Sequence, residues 1–253
     1  TRSFMLDTML KYGLERYVDW QKGECSFNSQ DFIDMLDFLK IFPEEFTYDD
    51  PETGPYELMS DGRQLMLQYD LRDFVDYQTC IVSTKGEAVF KGYPTAEGVG
   101  NVLSYADSPL CISTACKAPE EAWRFISSLL DEDSDEIEYF SGLPINARAY
   151  DAAEAEAMKK ETYKDEETGE VKEWPRRTVG WGDFTIDIYA MTKEEAQALR
   201  ELINSTDRSA AYDKNVMNIV SEELQSFFSG AKSAEDTARL IQDRVGIYVN
   251  EQR

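Results

Sequence analysis

A chain of 253 residues with 42% hydrophobic and 12% aromatic residues can bury a core unaided, because folding at this size hides roughly three quarters of the unfolded surface. Asp plus Glu number 50 against 26 Lys plus Arg, and the formal charge of −24 repels phosphate backbones and anionic lipid, which excludes nucleic acid as a partner. There is no histidine, so Ser-His-Asp and Cys-His mechanisms and His-ligated metals are excluded, and any enzyme here would work through carboxylates, Lys, Tyr or Cys.

Residues 4–18 place Leu6, Met9, Leu10, Leu14 and Tyr17 at helical spacing. Ser29 caps a second predicted helix carrying Phe32, Leu36 and Leu39 that stops by Pro43. Residues 43–57 are loop chemistry, rich in Pro, Gly and Asp. Leu65, Leu67 and Tyr69 alternate as a short strand does, and residues 88–90, 99–105 and 110–113 read as further brief strands. Pro119 stands at the first turn of a helix whose Ala122, Trp123, Phe125, Ile126, Leu129 and Leu130 predict a broad buried face. A helix is expected over about 147–163, then a tight turn at Glu167-Thr168-Gly169-Glu170 and an aromatic segment without helical period over 174–190. Thr192 with Glu195 forms a capping-box pattern, Gly230 a stop, and Ser233 with Asp236 the start of a last helix with Leu240, Ile241, Val245 and Val249 on one face. Short strands among longer helices predict an α/β fold in which helices cover a small sheet and the C-terminus is helical.

No apolar run approaches the roughly 20 residues that cross a bilayer, and Thr1-Arg2-Ser3 does not open a signal peptide, so the expectation is a mature fragment whose targeting segment lies upstream. Cys25, Cys80, Cys111 and Cys116 form no C-x-x-C and predict buried free thiols. On an extended strand Cys111 and Cys116 would stand about 16 Å apart, too far to bridge.

Asp131, Asp133 and Asp135 alternate like calcium ligands, but Glu136 and Gly142 occupy the places where an EF-hand loop needs Gly and Glu, so a solvated acidic loop is expected. Gly98-Val99-Gly100 lacks the rest of a dinucleotide fingerprint, and no phosphate-cradling G-x-x-x-x-G-K-S/T is present. Carboxylates are abundant enough to propose a glycosidase pair anywhere, yet no local motif selects one. The aromatics carry more information. Sugars present flat C–H faces ringed by hydroxyls, which suit an aromatic platform with Asp or Arg at its rim. Tyr69-Asp70-Leu71-Arg72 and Trp181-Gly182-Asp183 supply that mixture, the first at a predicted strand end and the second in a glycine-flanked loop.

A longer pattern runs through the chain. It comprises residues 90–100 (FKGYPTAEGVG), Leu110-Cys111-Ile112-Ser113, and the helix at Lys117-Ala118-Pro119-Glu120-Glu121-Ala122-Trp123-Arg124-Phe125-Ile126. Asp61-Gly62-Arg63-Gln64-Leu65-Met66 precedes these, and Ser141-Gly142-Leu143-Pro144-Ile145-Asn146 and residues 219–235 follow. In that order the segments resemble the extracellular solute-binding proteins of ABC importers, in the sugar-binding group related to maltose-binding protein. The resemblance spans most of residues 58–250 and lacks the opening strand, helix and strand of the first lobe. It therefore implies the C-terminal portion of such a protein: a type II periplasmic-binding-protein-like lobe, with second-lobe segments at 1–91 and 147–253 and a crossover segment related to the first lobe at 92–146.

What it implies of function is capture of a solute, a carbohydrate, in a cleft between two α/β lobes, with delivery to the permease subunits in the membrane. The protein would be a lipoprotein at the outer face of the cell membrane, anchored through an N-terminal segment, or periplasmic. It would be a monomer without catalysis, metal or other cofactor. Tyr69, Asp70 and Arg72 correspond to a place where the family's second lobe meets sugar, Tyr93 lies by a hinge crossing, and Trp181 and Tyr212 stand on further ligand loops. The alternatives are a carbohydrate-active hydrolase using paired carboxylates and an acidic protein-interaction domain.

Overall fold

The structure, a computed structural model, describes residues 1–45, 53–95, 98–103, 110–129, 142–210 and 212–252. In chain order its elements are α1 (Arg2–Lys11), β1 (Val18–Asp19), β2 (Glu24–Cys25), α2 (Gln30–Leu39), α3 (Pro55–Ser60), α4 (Phe74–Ser83), β3 (Tyr93–Thr95), β4 (Gly98–Leu103), α5 (Pro119–Ser128) and α6 (Ala147–Ala157). There follow β5 (Thr162–Lys164), β6 (Val171–Glu173), β7 (Arg177–Trp181), β8 (Phe184–Ile188), α7 (Lys193–Asn204), β9 (Thr206–Ser209), α8 (Lys214–Phe228) and α9 (Ala234–Glu251). The fold is mixed α/β, with small sheets and a helical C-terminus. Strands β1-β2, β5-β6 and β7-β8 form antiparallel pairs, and β3-β4-β9 form a three-stranded sheet.

The chain divides into two units. The first gathers Thr1–Tyr48, Gly92–Ser104 and Asp207–Arg253. Its core is built by helices whose apolar residues recur every three or four positions: Phe32, Met35, Leu36 and Leu39 on α2, Val216, Val220, Leu224 and Phe227 on α8, and Ala234, Ala238, Ile241, Val245 and Val249 on α9. Leu6 and Leu10 of α1 join them, with Tyr17, Phe27 and Phe32 in mutual ring contact at centroid distances of 4.9 to 5.5 Å. The predicted opening helix stops at Lys11, and Leu14–Arg16 continue as a 3-10 turn. Gly13 stands at the break, where a Cβ would come within 2.8 Å of the Met9 carbonyl oxygen.

The second unit comprises Asp49–Lys91 and Tyr105–Thr206. Phe74 and Tyr77 of α4 are buried with Tyr150 and Ala157 of α6, Met191, and Ala196 and Leu199 of α7. The Arg200 guanidinium lies 4.6 Å over the Tyr150 ring and pairs with Asp151 and Glu154. The predicted caps form as read: the Ser29 hydroxyl accepts from the Phe32 amide, Thr192 and Glu195 close a reciprocal box, Ser233 accepts from Asp236, and Gly230 follows α8 at φ 77°.

Several expectations are corrected. Residues 65–69, 88–90 and 110–113 are not strands, because no strand pairs with them among the described residues, and Leu65 and Met66 are exposed. Helix α6 ends at Ala157, and Tyr163 belongs to β5, where it lies 4.2 Å from Trp174 in the hairpin that turns at Thr168-Gly169. Two helices, α3 and α4, occupy sequence read as loop or passed over. Helix α5 forms after Pro119, but none of its residues is buried; Trp123 is 54% and Phe125 64% exposed. An amphipathic pattern says which face a partner surface would bury and does not supply the partner. The cysteines are free, but none is buried: Cys111 is exposed and the others half-buried. The acidic segment with Asp131, Asp133 and Asp135 lies outside the described residues.

Ile241, fully buried on α9, sets the scale of this packing. Ile241→Ala is expected to lower unfolding free energy by about 2–5 kcal/mol. Trp123→Ser, on the uncovered face of α5, should stay within about 0.5 kcal/mol of the parent. Urea denaturation of both variants measures the contrast.

Candidate functional site

The sequence places Tyr69 and Arg72 together, and the structure does join them, at Asp76. Helix α4 begins at Asp73, whose carboxylate accepts from the Asp76 amide at 2.7 Å, and this cap brings the Asp76 side chain back over residues 69–72. Asp76 Oδ1 accepts from the Tyr69 hydroxyl at 2.8 Å and from Arg72 Nη2 at 3.3 Å. Oδ2 accepts from the Arg72 amide and from its Nε, both at 3.0 Å. Tyr69 spends its proton on Asp76, so the Tyr56 hydroxyl, 2.9 Å away, donates to Tyr69. Burial pushes the Asp76 carboxyl up, but the hydrogen bonds from Arg72 and Tyr69 outweigh it and hold the group below its ordinary value. Burial, then hydrogen bonding to Tyr56 and Asp76, raises the Tyr69 phenol well above its own. Cys80, one turn along α4, is pushed up to about 11 by burial and by the Asp76 charge.

This knot is closed. An ionised carboxylate offers about four acceptor positions, and Asp76 has four donors on it. Asp70 is exposed beside it. Trp181 ends β7, in register with Phe184, rather than standing in a loop: Gly182 at φ 60° makes the two-residue hairpin turn, and at Gly180 a Cβ would lie 2.5 Å from the Phe184 carbonyl oxygen. Tyr93 begins β3, opposite Gly100. The side chains of Trp181 and Tyr93 lie outside the described set.

Tyr212 stands in a different setting. In the first unit a surface pocket of about 290 Å³ is lined by Leu14, Trp20, Tyr212, Asp213, Tyr248 and Gln252. Trp20 is carried on the turn between β1 and β2, where Asp19 Oδ1 accepts from the amides of Gln21 and Lys22 and Gly23 adopts φ 71°. The hairpin is fixed to α9 by Gln242. Its Oε1 accepts from the Phe27 amide at 2.7 Å, and its Nε2 donates to the Cys25 carbonyl at 2.8 Å. Tyr248 follows on the same helix, and its ring meets Trp20 edge to face, with centroids 6.2 Å apart and planes at 88°.

Asp213 caps α8, its Oδ1 accepting from the amides of Asn215 and Val216 at 2.9 Å. Its Oδ2 accepts from the Tyr248 hydroxyl at 3.0 Å, while Asn215 Nδ2 donates to that same hydroxyl at 3.0 Å. Three donors on Asp213 leave one of its acceptor positions without a described donor, and among the described side chains no lysine or arginine forms an ion pair with it. Tyr212 is 57% and Trp20 39% exposed, as suits walls of an open recess. Such a site can hold a small organic molecule by ring contact and one charged rim group.

Sequence reasoning found Tyr212 and missed Trp20, Asp213 and Tyr248. The local signals were an Asx turn after β1 and an acid before a helix; nothing local joins residues more than two hundred positions apart. Among the described residues, no group of three His, Cys, Asp or Glu could hold a metal ion, and no helix is long and apolar enough to cross a membrane. No protein-family model matches the chain, and no curated protein matches it.

Two predictions rest on these contacts. Asp76 is held below its unfolded value of 3.8, so its stabilisation is complete above that pH and is lost as pH falls below it through the folded value. Asp76→Asn should cost about 1–3 kcal/mol at neutral pH and flatten the acid limb of a pH–stability curve. Gln242→Ala leaves the Phe27 amide and the Cys25 carbonyl without their partner, and should cost a similar amount, about 1–3 kcal/mol. Trp20 emission is expected to shift to the red in that variant while far-ultraviolet circular dichroism stays unchanged.

Proposed function

We propose that this chain belongs to the substrate-binding component of an ABC importer, capturing a small organic solute outside the cell membrane and passing it unaltered to the permease. The observation that carries the reading is the pocket of Trp20, Tyr212, Tyr248 and Asp213, a ring-lined recess with a carboxylate at its rim. Aromatic rings offer contact area at little conformational cost, and one fixed polar group can orient a ligand. The order of the motifs over residues 58–250, similar to the sugar-binding group of importer proteins, supports the same reading and makes a carbohydrate the first solute class to test. On this reading the chain contains one type II lobe with its crossover segment, works as a monomer and needs no metal or cofactor.

Isothermal titration of the chain with a panel of mono- and oligosaccharides, amino acids and small organic cations tests the proposal. Saturable heat with one class, reduced in Tyr212→Ala by about 1–3 kcal/mol of binding free energy, is the expected result. Absence of heat with every class rejects solute capture by this chain. Conversion of an oligosaccharide during the titration, seen as new reducing ends, would favour a hydrolase.

A further inference from the structure

The pocket's geometry says more about the solute than its aromatic content does. A pyranose is flat and stacks on one ring or between two parallel ones. Trp20 and Tyr248 instead stand at 88°, with ring centroids 6.2 Å apart, forming a corner, and Tyr212 lines the same recess. A corner of perpendicular aromatic planes suits a group that is round and presents the same surface in every direction. The negative faces of the rings favour a positive one.

Charge points the same way. Asp213 keeps one acceptor position on Oδ2, beside the Tyr248 hydroxyl, and no described lysine or arginine neutralises it. Its Oδ1 is committed to the N-terminal amides of α8, which offset part of the charge. Gln252, the residue that caps α9, also lines the pocket, so the carbonyl end of an 18-residue helix adds partial negative charge there. Lys214 and Glu251, next in sequence to Asp213 and Gln252, are both exposed, and Asp19, next to Trp20, pairs with Lys22 at 2.8 Å. The chain's −24 raises the local concentration of cations before any contact is made.

We propose that this pocket takes the methylated ammonium head of a small organic cation, the head seated in the corner of Trp20 and Tyr248 against Tyr212, with the Asp213 carboxylate as its counter-ion. This inference rests on the solute-capture reading and narrows it to one chemical class. Strongly hydrated inorganic cations and primary ammonium groups hold their water more tightly, and should bind more weakly than a trimethylated head of equal charge.

The discriminating pair of probes is choline and 3,3-dimethylbutan-1-ol, which have the same shape and differ in one atom, a carbon replacing the positive nitrogen. Titration of the chain with each, at low ionic strength, is expected to give choline an advantage of about tenfold or more. That advantage should shrink several-fold in Asp213→Asn, which keeps the helix-capping side-chain oxygen and so keeps α8 closed. Tyr212→Ala, at an exposed residue, should weaken choline as well, with thermal melts of both variants matching the parent. Equal affinity for the two probes, or choline binding unchanged in both variants, overturns the inference. A saccharide that binds where choline does not also overturns it while leaving solute capture standing. No heat with choline, with its neutral analogue or with any saccharide, amino acid or other organic cation of the panel overturns both together.

Discussion

Gln242 is the contact on which the first unit's surface depends. A hairpin of two-residue strands has almost no stability of its own in water, and β1 and β2 contribute only the pairs Val18–Cys25 and Asp19–Glu24. Besides the burial of Val18 in the core, it is held by the primary amide of Gln242, which behaves like one more residue of a strand: it accepts from the Phe27 amide and donates to the Cys25 carbonyl. Both bonds join positions more than two hundred residues apart, and both are partly buried. Once the hairpin is docked, Trp20 has nowhere to go but beside Tyr248, six residues further along the same helix. The ring pair at the pocket is thus a by-product of how a weak local element is anchored to a strong one.

The two units treat a carboxylate in opposite ways. Asp76 is wrapped by its own neighbours, Arg72 four residues before it and Tyr69 seven before it, so its charge is consumed in fixing the entry to α4. Asp213 also caps or clasps local structure, but its second oxygen has only a tyrosine hydroxyl on it, and that hydroxyl already receives a bond from Asn215. The difference is a count of donors. A saturated acid ties structure together, whereas an acid with a position to spare beside exposed rings can serve a ligand.

That count explains how far the sequence could be read. Ser29, Thr192 with Glu195, and Ser233 were legible because a cap satisfies backbone amides two or three residues away, and the donor and acceptor sit within one window of sequence. The strand expected at Leu65–Tyr69 fails for the converse reason: alternation describes a half-buried strand only if another strand arrives to pair with it. Helix α4 is hard to read from sequence because Val75, Thr79, Ile81 and Val82 give it the composition of a strand, although Asp73 announces its start. Tyr69, Asp70 and Arg72 drew attention as an aromatic, an acid and a base in close succession, and that closeness is what lets such groups satisfy one another.

The charge acts on a ligand at long range and in contact by different means. At physiological salt a carboxylate is screened within about 8 Å, so most of the acidic residues act on a ligand only collectively, by raising its concentration near the surface. Discrimination has to come from groups in contact. In the pocket those are one carboxylate, the end of α9 and three rings; Asp213 and Tyr248 are joined by a hydrogen bond, and Trp20 meets Tyr248 edge to face. A site preorganised in this way loses little entropy on binding, which allows a recess of about 290 Å³ to hold a molecule as small as an alkylammonium ion. Tyr212, exposed and adjacent to the cap of α8, is the wall left to adjust, and it is there that a ligand of different length or bulk would be accommodated.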